Sequence, residues 1–369
     1  MMNDLFQDLE MKKELHPKFL VLRDVYSEYH REILNEWFSG FQDRDNKIIK
    51  EFQTTFHSSF WEIFLYKVFK ELHFKIDFTH NRPDFILEHF GLGEVIYVEA
   101  TIANISISGS PEDSRGMEDI LSMFTPPYLL PDFETGMVES IIRYANAIKS
   151  KTEKYRNDYV NCKWICSDNP YVIALSSYSQ VNYGREQYVI KQETGAEILL
   201  NIFDSKEYED VSAIIFTSNC TIGKLTALVR SKNEDYNITN VFNLYQDFFD
   251  EEVRFKYQDV GTKAPELVTD GLWVFHNPNA KNQLSVLDFW DEGITQIMIE
   301  DEKVHMYGNP NPTIARLDVP SITKELVELM IAGELYIYNA NVKIEYADYY
   351  HHLQFVESDN DKLLEEDKQ

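Results

Sequence analysis

Cysteine is scarce in this 369-residue chain, limited to Cys162, Cys166 and Cys220. Three thiols do not build a disulfide framework, which excludes a small stapled scaffold. Cys162 and Cys166 have no second pair of cysteine or histidine ligands at zinc-site spacing, so all three read as buried, reduced thiols. Long apolar runs are missing too, and none approaches the roughly 18–20 residues that span a bilayer. The opening stretch MMNDLFQDLEMKKELH is acidic and amphipathic rather than a basic-then-apolar leader. Together these absences point to a protein of a reducing cytoplasm, with no membrane partner. Cations are also in short supply, with 35 Lys and Arg against 62 Asp and Glu, a net charge of −27. Such a molecule as a whole repels nucleic acid, so a nucleic-acid substrate would need a local basic patch or a basic partner. Internal repeats and clean linkers are lacking, which favours one elaborated domain.

Several catalytic signatures are absent as well. SNCTIGKLT (218–226) follows an apolar run and contains Gly223-Lys224. Ser218 stands where a phosphate-binding loop has its first glycine, and Leu225 where it has Ser or Thr, so that reading is rejected. Lys224 remains a basic residue at the end of a sheet strand. The histidines, His351 and His352 included, show no metal spacing, and no Ser-His-Asp set is visible. His276, Asn277 and Asn279 read as a turn, with the polar lining of a pocket as the alternative.

What is present is core-forming material: 44% of residues are hydrophobic and 14% aromatic. Residues 1–45 carry apolar positions at helical intervals and read as an N-terminal helical extension. Phe52, Phe56, Phe60, Phe64, Val68 and Leu72 recur every four residues, which predicts one helix from about Asp45 to His73. Short strands are expected near 75–79, 84–88 and 95–101, then an irregular, proline-marked excursion over 102–133. A helix over 134–159, a strand at 171–177, a helix near 186–202 and a strand at 211–218 should follow. Residues 231–270 read as a polar surface insertion and 271–276 as another strand. A short helix at 320–333, strands within 335–346 and a charged tail complete the reading. Strands alternating with helices favour an α/β fold. The chain divides into an extension (1–45), an α/β core (46–220), a C-terminal extension packed on it (221–345) and a tail (346–369).

Within that core, three acids come in a suggestive order: Glu62 on the aromatic helix, Asp84 opening PDFILE, and Glu99 closing EVIYVEAT. One helix and two strands can bring three carboxylates to one edge of a sheet, an arrangement that suits a divalent metal. Glu62, Pro83-Asp84 and Glu99 fifteen residues later resemble the PD-(D/E)XK nuclease superfamily, as does the order helix–strand–strand–strand–helix–strand. The resemblance covers roughly 46–220. It implies a restriction-endonuclease-like core, a central mixed β-sheet flanked by helices, here with N- and C-terminal elaborations. It also implies a Mg²⁺- or Mn²⁺-dependent nuclease acting on DNA, in a setting such as bacterial or phage-directed defence. Asp84, Glu99 and the Ala100 carbonyl would hold the metal, with Glu62 completing the site directly or through water. Without a cation, three converging carboxylates should have raised pKa values.

One position departs from the family pattern. The lysine expected two residues after the second acid is Thr101 here. Some members move that lysine to a neighbouring helix, and NAIKSKTEKY offers Lys149, Lys151 and Lys154, of which Lys151 lies nearest the apolar stripe. The densest cations, including Arg143, Lys149 and Lys154, are interleaved with tyrosines and mark the expected nucleic-acid track. The alternative function is a nuclease-fold scaffold that has lost catalysis and works with a partner. A basic partner protein would reconcile the charge with either function, and a homo-oligomer is the other assembly considered.

Overall fold

A computed structural model describes residues 4–7, 9, 14–89, 94–104, 133–177, 202–217, 219–245, 256–300, 303–310, 313–320 and 324–325. Its N-terminal helices are α1 (Pro17–Asp24), α2 (Glu28–Phe38), α3 (Ile48–Thr54) and α4 (His57–Glu71). The four-residue aromatic stripe predicted a single helix, but the backbone divides it at Phe56, whose φ of 51° leaves the helical basin. Packing explains the break. The Phe56 ring stacks on Phe60 at 5.1 Å and leans on Phe52 at 5.3 Å, so the stripe survives although the helix does not.

The strands in chain order are β1 (Lys75–Asp77), β2 (Phe85–Glu88), β3 (Val95–Ile102), β4 (Tyr171–Ser176), β5 (Ala213–Thr217), β6 (Thr239–Tyr245), β7 (Lys256–Asp259), β8 (Leu272–His276), β9 (Ile294–Glu300), β10 (Lys303–Gly308) and β11 (Thr313–Pro320). Eight of them form one mixed sheet in the order β1-β2-β3-β4-β5-β8-β9-β10. β2 pairs antiparallel with both β1 and β3, whereas β3, β4 and β5 run parallel. Helix α5 (Phe133–Lys154) supplies the crossover between β3 and β4 that a parallel pair requires. A π-helical turn, Tyr155–Tyr159, extends it.

Side-chain alternation makes the sheet two-faced. Phe85, Leu87, Ile96, Val98, Val172 and Ala174 pack against α1 to α4 and against α6 (Ile222–Lys232). Ile86, Tyr97, Ile173, Leu175 and Ile214 pack on the other face, against Tyr144, Ile148, Tyr155 and Tyr159 of α5 and its π turn. Strands β4 and β5 are buried on both faces, which is why YVIALS and AIIFT read as unbroken apolar runs.

The described residues of 231–270 do not form a surface insertion. They contribute β6 and β7 to a second sheet, ordered β11-β6-β7, with Val241, Phe242 and Val260 buried. Their polar composition misleads because polar groups are buried there as well. Glu266 bonds Lys224 at 2.8 Å, accepts from Asn243 Nδ2 at 2.8 Å and pairs with Arg316. Lys224 therefore does not sit at a strand end. It is buried on α6, with the Leu267 and Asp270 carbonyls also accepting from it at 2.8 Å. Of the thiols only Cys220 is buried, while Cys166 is exposed and Cys162 intermediate. Asn277 is a buried turn residue whose amide reaches the Tyr208 and Val211 carbonyls, and His276 bonds Gln296 at 2.9 Å.

In place of the start of the helix expected over 320–333, β11 runs to Pro320, and Lys324 and Glu325 are helical. The rest of that helix, the strands within 335–346, the tail, most of the helix near 186–202 and nearly all of the excursion over 102–133 lie outside the described residues. Among the described residues no helix is long and apolar enough to cross a membrane.

A candidate carboxylate and lysine active site

Strand register brings the two central acids together. The β2–β3 ladder pairs Phe85 with Val98. One step further along the same antiparallel register, Asp84 falls opposite Glu99, a relation that sets Cβ atoms about 4.5–5.5 Å apart. Alternation turns both side chains to the face covered by α5. Asp84 is fixed from β3 itself, because the Ala100 N–H donates to Asp84 Oδ2 at 2.8 Å. The sequence reading assigned Ala100 a carbonyl role; the contact seen is through its amide.

The loop that delivers Asp84 is gripped from two sides. Arg44 donates to the His80 carbonyl, to Asp84 O at 3.0 Å and, at 3.4 Å, to Pro83 O. From the other side, Trp164 Nε1 donates to Arg82 O at 2.9 Å, and its indole lies parallel to the His80 ring with centroids 4.4 Å apart.

Glu99 is fully buried and its carboxylate is satisfied by three donors. Oε1 accepts from Lys151 Nζ at 2.8 Å and from Lys154 Nζ at 2.7 Å. Oε2 accepts from the Tyr159 hydroxyl at 2.8 Å. Lys151 and Lys154 stand three residues apart on α5 and so share one helix face. Tyr159 reaches the same carboxylate from the π turn, where Tyr155 stacks on Tyr171 at 4.1 Å.

The electrostatics follow from this placement. Burial, and then the neighbouring Asp84 and Glu51, push the Glu62 carboxyl from its usual 4.5 up to about 8, with Arg44 opposing. Burial and then Glu99 raise Asp84 to about 6, against Lys151, the Ala100 amide and Lys154. Burial also works against ionised Glu99, but the two lysines outweigh it and hold its pKa below the usual value. The expected rise therefore occurs at Glu62 and Asp84, and the lysines reverse it at Glu99.

Not every residue expected in the site is brought there. Lys154, assigned to the nucleic-acid track, lies on Glu99 instead. Lys149 pairs at the surface with Glu207 at 3.3 Å. Arg143 lies eight residues before Lys151, about 12 Å along the helix axis. Conversely, the sequence reading missed Arg44 and Trp164, and took Tyr159 for one of the tyrosines that stack on bases rather than for a buried partner of Glu99. Tyr159 had a signal, since it continues the apolar stripe of Ile148, Thr152 and Tyr155; Arg44 and Trp164 had none.

Among the described residues no three His, Cys, Asp or Glu side chains form a ready metal cage. Hard-oxygen chemistry nevertheless suits the Asp84–Glu99 pair to Mg²⁺ or Mn²⁺, because Mg²⁺ is commonly held by one or two carboxylates and keeps several waters. Compared with known proteins, the chain matches no family model, no curated protein and no solved structure.

Proposed function

We propose that this protein is a metal-dependent nuclease that hydrolyses phosphodiester bonds in DNA. The observation that carries the reading is Asp84 and Glu99 side by side on adjacent strands, with two lysine amines on Glu99 Oε1. The order α4–β1–β2–β3–α5–β4 supports the resemblance to the PD-(D/E)XK superfamily and its restriction-endonuclease-like core. In this reading α5 supplies the lysine that Thr101 does not. Asp84 and Glu99 would hold Mg²⁺ or Mn²⁺, which supplies Lewis acidity and a more acidic bound water.

The chain's own groups then have separable tasks. The Ala100 amide and Arg44 fix Asp84, and the Tyr159 hydroxyl fixes Glu99 Oε2. Lys151 Nζ, 2.8 Å from Glu99 Oε1, would donate a hydrogen bond to the oxygen of the attacking water. Lys154 Nζ, also on Glu99 Oε1, keeps the Glu99 carboxylate ionised. Glu62, with its pKa near 8, can take up or release a proton near neutral pH.

A second reading, a scaffold with the same fold, is favoured by the saturation of both Glu99 oxygens and by the −27 charge. The deciding assay incubates single- and double-stranded DNA and RNA with Mg²⁺ or Mn²⁺. It compares the native protein with Asp84→Ala, Glu99→Ala and Lys151→Ala. A nuclease gives metal-dependent cleavage that both acid variants abolish and that Lys151→Ala slows on the order of a hundredfold. A native protein that cleaves nothing under any of these conditions leaves the scaffold reading.

A further inference from the structure

Most cations near the carboxylate pair are already neutralised. Lys151 and Lys154 serve Glu99, Lys149 pairs with Glu207, and Arg156 pairs with Asp210. Arg82 is different. It is exposed, lies two residues before Asp84, and its side chain has no hydrogen-bond or ion-pair partner among the described residues. Its charge reaches the Tyr159 hydroxyl, which is itself bonded to Glu99.

A second, independent feature adjoins it. The His80 and Trp164 rings are stacked with an interplanar angle of 1°, and both residues retain partial exposure. Trp164 also donates to the Arg82 carbonyl, so the ring stack and the Arg82 backbone belong to one braced loop. Arg44 braces the same loop through the His80, Pro83 and Asp84 carbonyls. Holding this loop in place explains the Trp164 indole and the Arg44 guanidinium. It does not explain an arginine left facing solvent.

We propose that Arg82 and the His80–Trp164 stack form a strand-binding subsite for a single-stranded segment of DNA entering the Asp84–Glu99 pair. Arg82 takes a backbone phosphate, for which its planar fork is suited. The aromatic stack takes an unpaired base, whose π-face is available only outside a duplex. A loop already braced on both sides loses little freedom when it binds. This inference rests on the nuclease reading and names the form of its substrate.

The test measures fluorescence anisotropy of a labelled 12-nucleotide DNA strand and of its blunt duplex, with EDTA present so that neither is cut. The native protein should bind the strand more tightly than the duplex. Arg82→Gln should weaken strand binding about fivefold and lower the logarithmic salt slope by about 0.7. His80→Ala should weaken it about tenfold, and that loss should vanish on one member of a set of strands carrying an abasic site at successive positions. Thermal midpoints control for folding, and His80→Phe, which keeps a ring, should restore binding. The subsite is refuted if both variants bind like the native protein, or if His80→Ala loses equally on every abasic strand, while metal-dependent cleavage persists. A native protein that neither binds nor cuts the strand refutes the nuclease reading and the subsite together.

Discussion

Replacing Glu62 by glutamine keeps the side chain's shape and removes its charge. Burial and Asp84 raise the Glu62 carboxyl from 4.5 to about 8, so the folded protein retains a proton that the unfolded chain gives up. At about 1.4 kcal/mol per pKa unit, the full shift is worth on the order of 4–5 kcal/mol. Glu62 is not wholly enclosed, and solvent screening reduces this to about 2–3 kcal/mol. The sign follows from linkage. A carboxyl whose folded pKa is raised contributes fully below about pH 4.5, and its contribution is lost as pH rises through about 8. Glutamine carries no such dependence. Glu62→Gln should therefore match the native protein within about 0.5 kcal/mol at pH 5 and exceed it by about 2–3 kcal/mol at pH 8.5. Urea unfolding followed by tryptophan fluorescence, in EDTA, measures both, with unchanged m values confirming a native-state effect. A difference that is constant with pH, or a variant less stable at pH 8.5, would refute the electrostatic account.

Two further predictions concern the other charged networks. Lys151→Gln and Lys154→Gln should each cost about 1–2 kcal/mol, with Lys154 at the lower end because its side chain is 42% exposed. The double variant leaves buried Glu99 without a cation and should cost about 3–5 kcal/mol, more than the sum of the singles. Because Glu99 is held below its usual 4.5, its contribution is present above that pH and lost as pH falls below it, so the deficit should close in acid unfolding measurements. Lys224→Met leaves buried Glu266 with Arg316 as its remaining cation and should cost about 3–5 kcal/mol in urea unfolding. A melting temperature within a degree of native would refute that reading.

Much of the layered sheet was legible in the sequence because its pattern is strong. VIYVEAT, YVIALSS and LWVFHN are apolar and β-branched, and each forms a strand where expected. The helix expected over 134–159 is recovered as α5 and the π turn. The break at Phe56 was not legible, because a four-residue stripe says which rings must meet and nothing of the backbone that brings them together. The second sheet was missed for a related reason: Asn243, Glu266 and Lys224 are buried by pairing with partners far along the chain, and composition cannot show pairing. Asp84 and Glu99 were named through the resemblance to the nuclease superfamily, and Lys151 through its migrated lysine and the nearby apolar stripe. That Lys154 joins them could be decided only by the rotation of α5 over β3. Arg44 acts through backbone carbonyls, which leave no trace in residue types.

The place of β5 in the sheet bears on how the protein can be handled. Residues 46–220 carry the whole of the family resemblance, which makes them a tempting fragment to express alone. Yet β5 is hydrogen-bonded to β4 on one side and to β8, sixty residues further on, on the other. A fragment ending near residue 220 would leave AIIFT, buried on both faces in the whole molecule, as a bare outer strand with unpaired amides and carbonyls. Such an edge recruits other strands. The excised fragment would self-associate and precipitate, so inactivity in that fragment would report on its solubility and not on Asp84 or Glu99.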